Sequence, residues 1–338
     1  MGKYRMSTLI DTYGRTHRNL RVSLTDRCSL RCTYCMPHDF AAWLPSDELL
    51  TTDELLLIID VAVSQGIDEV RLTGGEPLLR PDIVEIVERI AGLPNAPRLT
   101  LTTNGIRLPE LAAPLAKAGL NRINVSLDTL SRERFKKLTY RDRFDDVIKG
   151  LEAANAAGLF PIKVNSVLLK DMNDDEAPAL LHWAIEKNYS LRFIEQMPLD
   201  AGGIWDRATL ITADEIYASL SQHYALTPVD GRGSAPAEEF YINGTKATVG
   251  IIGSVTRPFC GACDRIRLTS DGQLRSCLFS ITETDVRMVI RDQSKSLSEK
   301  REEIAARFTK TVFEKLPGHG INDPSFIAPL RPMSAIGG

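Results

Sequence analysis

The sequence predicts an α/β protein built around a parallel sheet, and three observations point that way. Short runs rich in Val, Ile, Leu and Thr recur at Leu20 to Leu24, Glu69 to Thr73, Arg98 to Thr103, Arg122 to Leu127, Ile162 to Leu169 and Leu191 to Met197. Most are followed by a helical pattern, the crossover that parallel neighbours need. The punctuation agrees. Thr51-Thr52-Asp53-Glu54 reads as a capping box before Leu55 to Ile59, Pro81-Asp82 as a first turn before Ile83 to Ile90, and Gly66, Gly119 and Gly158 fall where helical patterns stop. Periodicity alone does not choose between an open doubly wound sheet and a barrel. In either, the active site belongs at the carboxyl ends of the strands. A cysteine run follows the first strand, Gly74-Gly75-Glu76-Pro77 the second, Asn104-Gly105 the third and Asp128 the fourth.

Beyond about Asp200 the texture changes. Ala201 to Trp205 and Asp230 to Pro236 read as loops, Ala247 to Gly253 as a strand and Gln293 to Phe313 as a charged helix, while Asp323 to Gly338 has no clear period. This predicts two regions, 1–200 carrying the strand-helix units and 201–338 a distinct carboxyl-terminal part. The 338 residues suffice to bury a large core without staples. A composition of 43% hydrophobic and 25% charged residues with net charge -3 gives no global field for nucleic acid or a membrane surface, so any anion site is local. No run resembles a signal peptide or a spanning helix, and a cytoplasmic location is expected.

The six cysteines form two groups of three, Cys28/Cys32/Cys35 and Cys260/Cys263/Cys277. Three thiolates at CxxxCxxC can ligate three irons of a 4Fe-4S cubane and leave the fourth iron open for chemistry. Structural zinc wants four ligands, for which His38 is near enough in sequence to serve. The second group alone reads as zinc or iron, with His223 or His319 as a candidate fourth ligand. Between its cysteines runs Asp264-Arg265-Ile266-Arg267-Leu268, strand-like, with Arg265 and Arg267 on one face as an anion site suited to phosphates. Arg21, Arg71 and Lys163 lie in strands expected to be buried, where an unpaired cation is costly and wants an anionic ligand.

Cys28-Ser29-Leu30-Arg31-Cys32-Thr33-Tyr34-Cys35, followed by the GGEP run, resembles the signature of radical S-adenosylmethionine (SAM) enzymes. The resemblance extends over nearly the whole chain to the GTP 3',8-cyclases of molybdenum cofactor biosynthesis. It is carried by Arg21-Val22-Ser23-Leu24-Thr25-Asp26, the CxxC-DRIRLT second group, Gly318-His319-Gly320-Ile321-Asn322-Asp323 and the terminal Pro332 to Gly338. It implies a partial (β/α)6 TIM-type barrel whose carboxyl-terminal region carries a second iron-sulfur cluster. The implied cofactors are two 4Fe-4S clusters, ligated by the six cysteines, and SAM. Implied SAM contacts are Tyr34, Gly75, Ser126 and Met197, with Glu76 taking the methionine ammonium. Implied GTP contacts are Arg21, Arg71, Thr102, Lys163, Arg265, Ile266 and Arg267.

The resemblance further implies that Gly337 and Gly338 reach into the active site, although terminal glycines by themselves read as a flexible end. The implied reaction is abstraction of the ribose C3' hydrogen of GTP by a deoxyadenosyl radical, followed by attack on C8. The expected partners are GTP and an external electron donor, without nucleic acid or membrane; the oligomeric state is open, a homodimer included. Two other readings stay in play: a radical SAM peptide-modifying enzyme with an auxiliary cluster, and a zinc-stabilised binding protein or electron carrier without catalysis.

Overall fold

The alternation of side chains along a strand decides which residues meet the helices and which meet the interior. In the computed structural model, which describes residues 8–36, 43–200, 203 and 205–337, the expected strands all form. They are β1 (Asn19–Ser23), β2 (Glu69–Thr73), β3 (Arg98–Thr103), β4 (Arg122–Ser126), β5 (Lys163–Val167) and β6 (Ser190–Ile194). Each pairs in parallel with the next. The later strands are β7 (Leu226–Pro228), β8 (Glu238–Ile242), β9 (Thr248–Ile252), β10 (Arg265–Leu268), β11 (Gln273–Arg275) and β12 (Thr284–Asp285).

These later strands extend the same sheet at both edges. β10 adds in parallel beside β1 and β9 in parallel beside β6; β11 and β12 continue antiparallel on one side, β8 and β7 on the other. The sheet order runs β12-β11-β10-β1-β2-β3-β4-β5-β6-β9-β8-β7, open rather than closed, as a partial barrel requires. The segment between β9 and β10, which carries Cys260 and Cys263, crosses from one side of the parallel set to the other.

The crossover helices are α1 (Thr52–Ser64), α2 (Ile83–Ala91), α3 (Leu108–Lys117), α4 (Arg132–Thr139), α5 (Phe144–Ala156) and α6 (Ala177–Glu186). Then come α7 (Ala213–Ser221), α8 (Arg287–Arg291), α9 (Leu297–Phe313) and the short α10 (Met333–Ile336). The Thr51 capping box is complete, with Glu54 donating its amide to Thr51 and its carboxylate returning the bond. Asp82 stands at the N-cap of α2 without a side-chain cap bond. Gly66, Gly119 and Gly158 have positive φ just past their helices. The charged helix starts at Leu297, after the Ser296 cap, not at Gln293, because Asp292 to Lys295 is a turn.

One parity of the parallel strands is apolar and packs under the helices: Leu20, Val22, Val70, Leu72, Leu99, Leu101, Ile123, Val125, Val164, Leu191, Phe193, Val249 and Ile251 are all buried in the main core. The other parity is polar. By register Arg21 lies beside Arg71 and Arg267, Arg71 beside Thr100 and Thr100 beside Arg122. A second core of Leu199, Leu210, Val255, Phe279, Ile321 and Ile336 gathers around Cys277.

Helix α5 approaches the end of β3 so closely that a Cβ on Gly150 would stand 2.1 Å from the Gly105 carbonyl oxygen. Alanine would gain about 1 kcal/mol of helix propensity but force backbone against backbone, at a cost of about 1–3 kcal/mol. Gly150→Ala should therefore lower the urea unfolding midpoint; an unchanged or higher midpoint would contradict this packing.

Candidate active site between two cysteine trios

The loop after β1 carries Cys28, Cys32 and Cys35, and main-chain bonds hold it to the end of α4. Arg31 and Thr33 donate their amides to Thr139 and Leu138 carbonyls at 2.9 and 3.0 Å. The Arg31 guanidinium bonds the Cys28 and Leu30 carbonyls at 2.8 and 2.9 Å. Burial, then Glu76, pushes the Cys28 thiol up to about 11; burial, then Cys28, pushes Cys35 up to about 12; burial also drives Cys32 upward. Thiols this reluctant to ionise alone suit a metal that supplies the compensating positive charge. All three line a cavity of about 280 Å³ rather than converging on a point, and among the described residues no three such donors meet tightly enough for a single ion.

The GGEP run presses against the stem of that loop. Gly75 and Glu76 donate their amides to Thr25 and Arg27 carbonyls, each at 2.7 Å. A Cβ on Gly75 would sit 2.4 Å from the Asp26 and Arg27 carbonyl oxygens, and Gly74, at φ +152°, 2.5 Å from that of Thr25. Only glycine permits this approach. Glu76 behaves differently from the expected ammonium ligand. It is buried, does not line the cavity, and accepts from Leu78 N (2.9 Å), Thr103 Oγ1 (2.6 Å) and Asn104 N (2.7 Å). It ties the β2 end to the β3 end, and Asn104 in turn donates to Ser29 Oγ at 3.0 Å.

Tyr34, Gly75, Ser126 and Met197 all line the cavity, as do Arg21, Arg71, Thr102, Arg265 and Arg267. Tyr34 donates its hydroxyl to Asp128 Oδ2 at 2.7 Å; Asp128 Oδ1 accepts the Val167 amide at 2.9 Å, and burial pushes its carboxyl up to about 6. Lys163 lies on the inner parity but beneath the lining; burial, then Arg192 and Arg122, brings it down to about 7. Ile266 does not join its neighbours. Its side chain faces the opposite way and is fully buried in the main core, so only its backbone is available to a ligand. Among the described residues several inner-face atoms lack partners, including Arg21 Nε, Arg71 Nε, Asn124 Oδ1 and Asn165 Oδ1, a cradle that fits a polar, anionic molecule.

Cys260, Cys263 and Cys277 sit at the other end of the sheet. Arg265 pairs with Asn19 at the start of β1, and the antiparallel β11 returns the chain to that level before Cys277. The His319 amide faces the Cys260 sulfur. Its ring Nδ1 accepts the Ile321 amide at 3.1 Å, which leaves the proton on Nε2, 2.9 Å from the Ser254 carbonyl. With both ring nitrogens engaged, His319 is no fourth zinc ligand; His223 is exposed, and His38 lies outside the described residues. Burial pushes the Cys263 thiol up, but Lys315 and Arg265 outweigh it and hold it below its ordinary value. Three thiols at each end without a fourth cysteine fit an open-site iron-sulfur group at each.

The end of the chain reaches the first trio. The Ser334 amide faces the Cys35 sulfur, Met333 lines the cavity, and Arg267 donates to the Gly337 carbonyl. Gly337 has φ +85° and a Cβ there would meet Thr73 Oγ1 at 2.7 Å and Ser23 Cβ at 2.8 Å. Gly338 lies outside the described residues.

Against known proteins, residues 22–184 match the Radical SAM superfamily and residues 189–321 match Molybdenum Cofactor Synthesis C. The chain is 57% identical to the GTP 3',8-cyclase of Streptomyces coelicolor, over 98% of this chain and 96% of that one. It is 52% identical to the GTP 3',8-cyclase of Mycolicibacterium smegmatis, over 98% and 92%. The chain belongs to the GTP 3',8-cyclase family of radical SAM proteins. Among solved structures, Streptococcus suis SuiB shares the fold at TM-score 0.59 and 15% identity, over 88% of this chain and 67% of that one. Native anSMEcpe with bound AdoMet does so at 0.56 and 15%, over 90% and 82%.

Sequence reasoning passed over Asn124, Asn165 and Arg192, which also line the cavity. The signal was present, since they share the inner parity with Ser126, Lys163 and Arg71. It also passed over Arg15 and Lys315 beside the second trio, single residues without any local pattern.

Gly75→Ala should displace the Asp26–Arg27 stem and cost the first cluster. After anaerobic reconstitution, iron per chain should fall by about half, one of two cubanes, with the helix signal in circular dichroism retained. Full iron content in the folded variant would contradict the close-approach argument.

Proposed function

We infer that the chain is a radical SAM GTP 3',8-cyclase that converts GTP to (8S)-3',8-cyclo-7,8-dihydroguanosine 5'-triphosphate, an early step of molybdopterin biosynthesis. The observation that carries this reading is a single cationic cavity along the inner face that has the first cysteine trio in its lining and reaches Phe259, Arg265 and Leu278, the neighbours of the second trio. When bound, SAM and the first cluster supply the radical that takes the C3' hydrogen, and the second cluster supplies an iron for the guanine base.

The chain's own residues hold, orient and enclose. Cys28, Cys32 and Cys35 hold one cluster; Cys260, Cys263 and Cys277 hold the other. Tyr34, fixed through its hydroxyl by Asp128, borders the SAM site with Gly75, Ser126 and Met197. Arg21, Arg71, Arg265 and Arg267 supply guanidinium groups for a triphosphate, with Thr102 beside them and Lys163 beneath. Gly337 closes the space near Ser23, Thr73 and Arg267, and Gly338 serves the radical chemistry with it. Glu76 ties the loop ends together and keeps accepting capacity on Oε2 for the methionine ammonium of SAM, and Ile266 can contribute only main-chain contacts.

In this reading residues 1–200 form the radical SAM partial barrel, which also lends cations to the substrate, and residues 201–338 carry the second cluster, further substrate contacts and the glycine tail. The protein takes its electrons from an external donor. Six cysteines outside disulfides, kept reduced to hold clusters, support a cytoplasmic location. Among the described residues no helix is long and apolar enough to cross a membrane.

An anaerobic assay with GTP, SAM and dithionite should give 5'-deoxyadenosine and a cyclised GTP by mass spectrometry. Replacing Cys260, Cys263 or Cys277 by Ala should leave SAM binding and abolish the GTP product. SAM cleavage without any nucleotide product in the unaltered protein would keep the superfamily and sink the substrate.

Lys163 generates a pH dependence with a definite sign. Near pH 7 about half of it is neutral in the free protein, and a bound triphosphate favours the ammonium. GTP binding should therefore take up a proton and weaken above pH 7, by up to about tenfold per pH unit. Calorimetry in buffers of different ionisation enthalpy should show the uptake, and Lys163→Met should remove it. Equal uptake in the variant would assign the proton elsewhere.

A further inference from the structure

Lys315 follows the end of α9 and is only 4% exposed, yet among the described residues no carboxylate stands within salt-bridge reach of it. Its ammonium donates to the Arg265 carbonyl at 2.7 Å and lies 3.5 Å from both the Cys263 carbonyl and the Cys263 sulfur. A buried cation without a counter-ion is costly unless an anion completes it. The sulfur of the second trio is the anionic site within reach. Arg265 Nη1 approaches the same sulfur at 3.8 Å.

The segment that carries Lys315 is clamped to the trio by a second cation. Arg15 donates Nη2 to the Leu316 carbonyl at 2.8 Å, and Nη1 to the Pro317 and Cys260 carbonyls at 3.1 and 2.7 Å, while Nε pairs with Asp11 Oδ2 at 2.5 Å. The Cys260–Cys263 turn and the main chain after α9 are thus fixed to each other, and Lys315 is held against sulfur rather than free to swing to solvent. Arg15 has its carboxylate. Lys315 does not.

We propose that Lys315 is a positioning residue of the second cluster, and that its charge against Cys263 raises the reduction potential of that cluster. This rests on the reading that Cys260, Cys263 and Cys277 hold an iron-sulfur cluster. Reduction adds one negative charge to the cluster, so a fixed cation beside a ligating sulfur favours the reduced form. Glutamine at this position keeps an N–H donor for the Arg265 carbonyl and removes the charge; arginine keeps the charge.

The test uses the full chain with Cys28, Cys32 and Cys35 replaced by Ala, so that only the second trio can bind a cluster. Anaerobic reconstitution, iron and sulfide analysis, and a dithionite titration followed by electron paramagnetic resonance are then compared with and without Lys315→Gln and Lys315→Arg. We expect Lys315→Gln to lower the midpoint by at least the equivalent of a tenfold change, about 59 mV for one electron, and Lys315→Arg to restore most of it. A Lys315→Gln protein that keeps its iron at an unchanged potential overturns the proposal. If Lys315→Gln holds no iron, Lys315→Arg decides: retention at the parent potential supports the role of charge, and loss in both overturns it. No iron or sulfide in the parent with Lys315 intact instead removes the second cluster itself, and the proposal with it.

Discussion

Burying a guanidinium costs several kcal/mol unless an anion or a full set of acceptors meets it. This sheet turns Arg21, Arg71, Arg265 and Arg267 inward on neighbouring strands, all of them largely or wholly enclosed. Glu69 partners Arg71 at 3.0 Å, but the charges that bear most on Arg21 are Arg267, Arg71 and Arg265, then Cys263, and among the described residues its Nε has no hydrogen-bond partner. A helix-covered sheet stabilised for its own sake would fill this face with Val and Ile. The opposite parity of the same strands does so. The polar inner face is therefore a surface kept for an anionic ligand, at the expense of stability in the empty protein.

The ends of alternate strands show how that surface is held in shape. Glu76 after β2, Asp128 after β4 and Glu195 after β6 are each buried carboxylates that accept amides from neighbouring loops. Glu195 alone accepts from Ala213 (2.6 Å), Val255 (2.7 Å) and Thr256 (2.9 Å) amides, which joins β6, the start of α7 and the crossing segment after β9. A carboxylate that accepts several main-chain donors offsets its desolvation and fixes each donor's loop at once. The cysteine loop, the GGEP run and the crossing segment are positioned by these three anchors more than by their own turns.

Much of the molecule was legible in the sequence because its signals are local. The β1 to β6 strands follow from short branched runs, the start of α1 from its capping box, and the trios from cysteine spacing. What escaped depends on distant pairings. β9 and β10 carry no mark that they join β6 and β1, so the carboxyl-terminal part reads as separate although its strands continue the same sheet. The position of Glu76 in GGEP is visible in the sequence, while its bonds to Thr103 and Asn104, which make it also a tie between β2 and β3, are brought about only by the fold. Ile266 is implied beside Arg265 and Arg267 by the family resemblance, and strand alternation sends its side chain to the core, which leaves its main chain to the site. Lys315 and Arg15 reach the second trio across the whole chain length and leave no periodic trace.

The placement of the second trio also departs from the rule that active sites gather at the carboxyl ends of parallel strands. Cys28, Cys32 and Cys35 obey it, lying beyond β1. Cys263 stands two residues before β10, which is parallel to β1 and level with it, so the second trio lies at the amino end. At a rise of about 3.3 Å per residue, the five residues of β1 separate the two levels by about 13 Å. A molecule that engages both trios must span the inner face, and the guanidinium groups of Arg21, Arg71 and Arg267 lie at the height between them. A small uncharged substrate at the carboxyl end would need neither the second trio nor this belt of cations. The proposed nucleotide substrate would use both, with its base at one end, its anionic portion along the arginines and its reacting carbon turned toward the other.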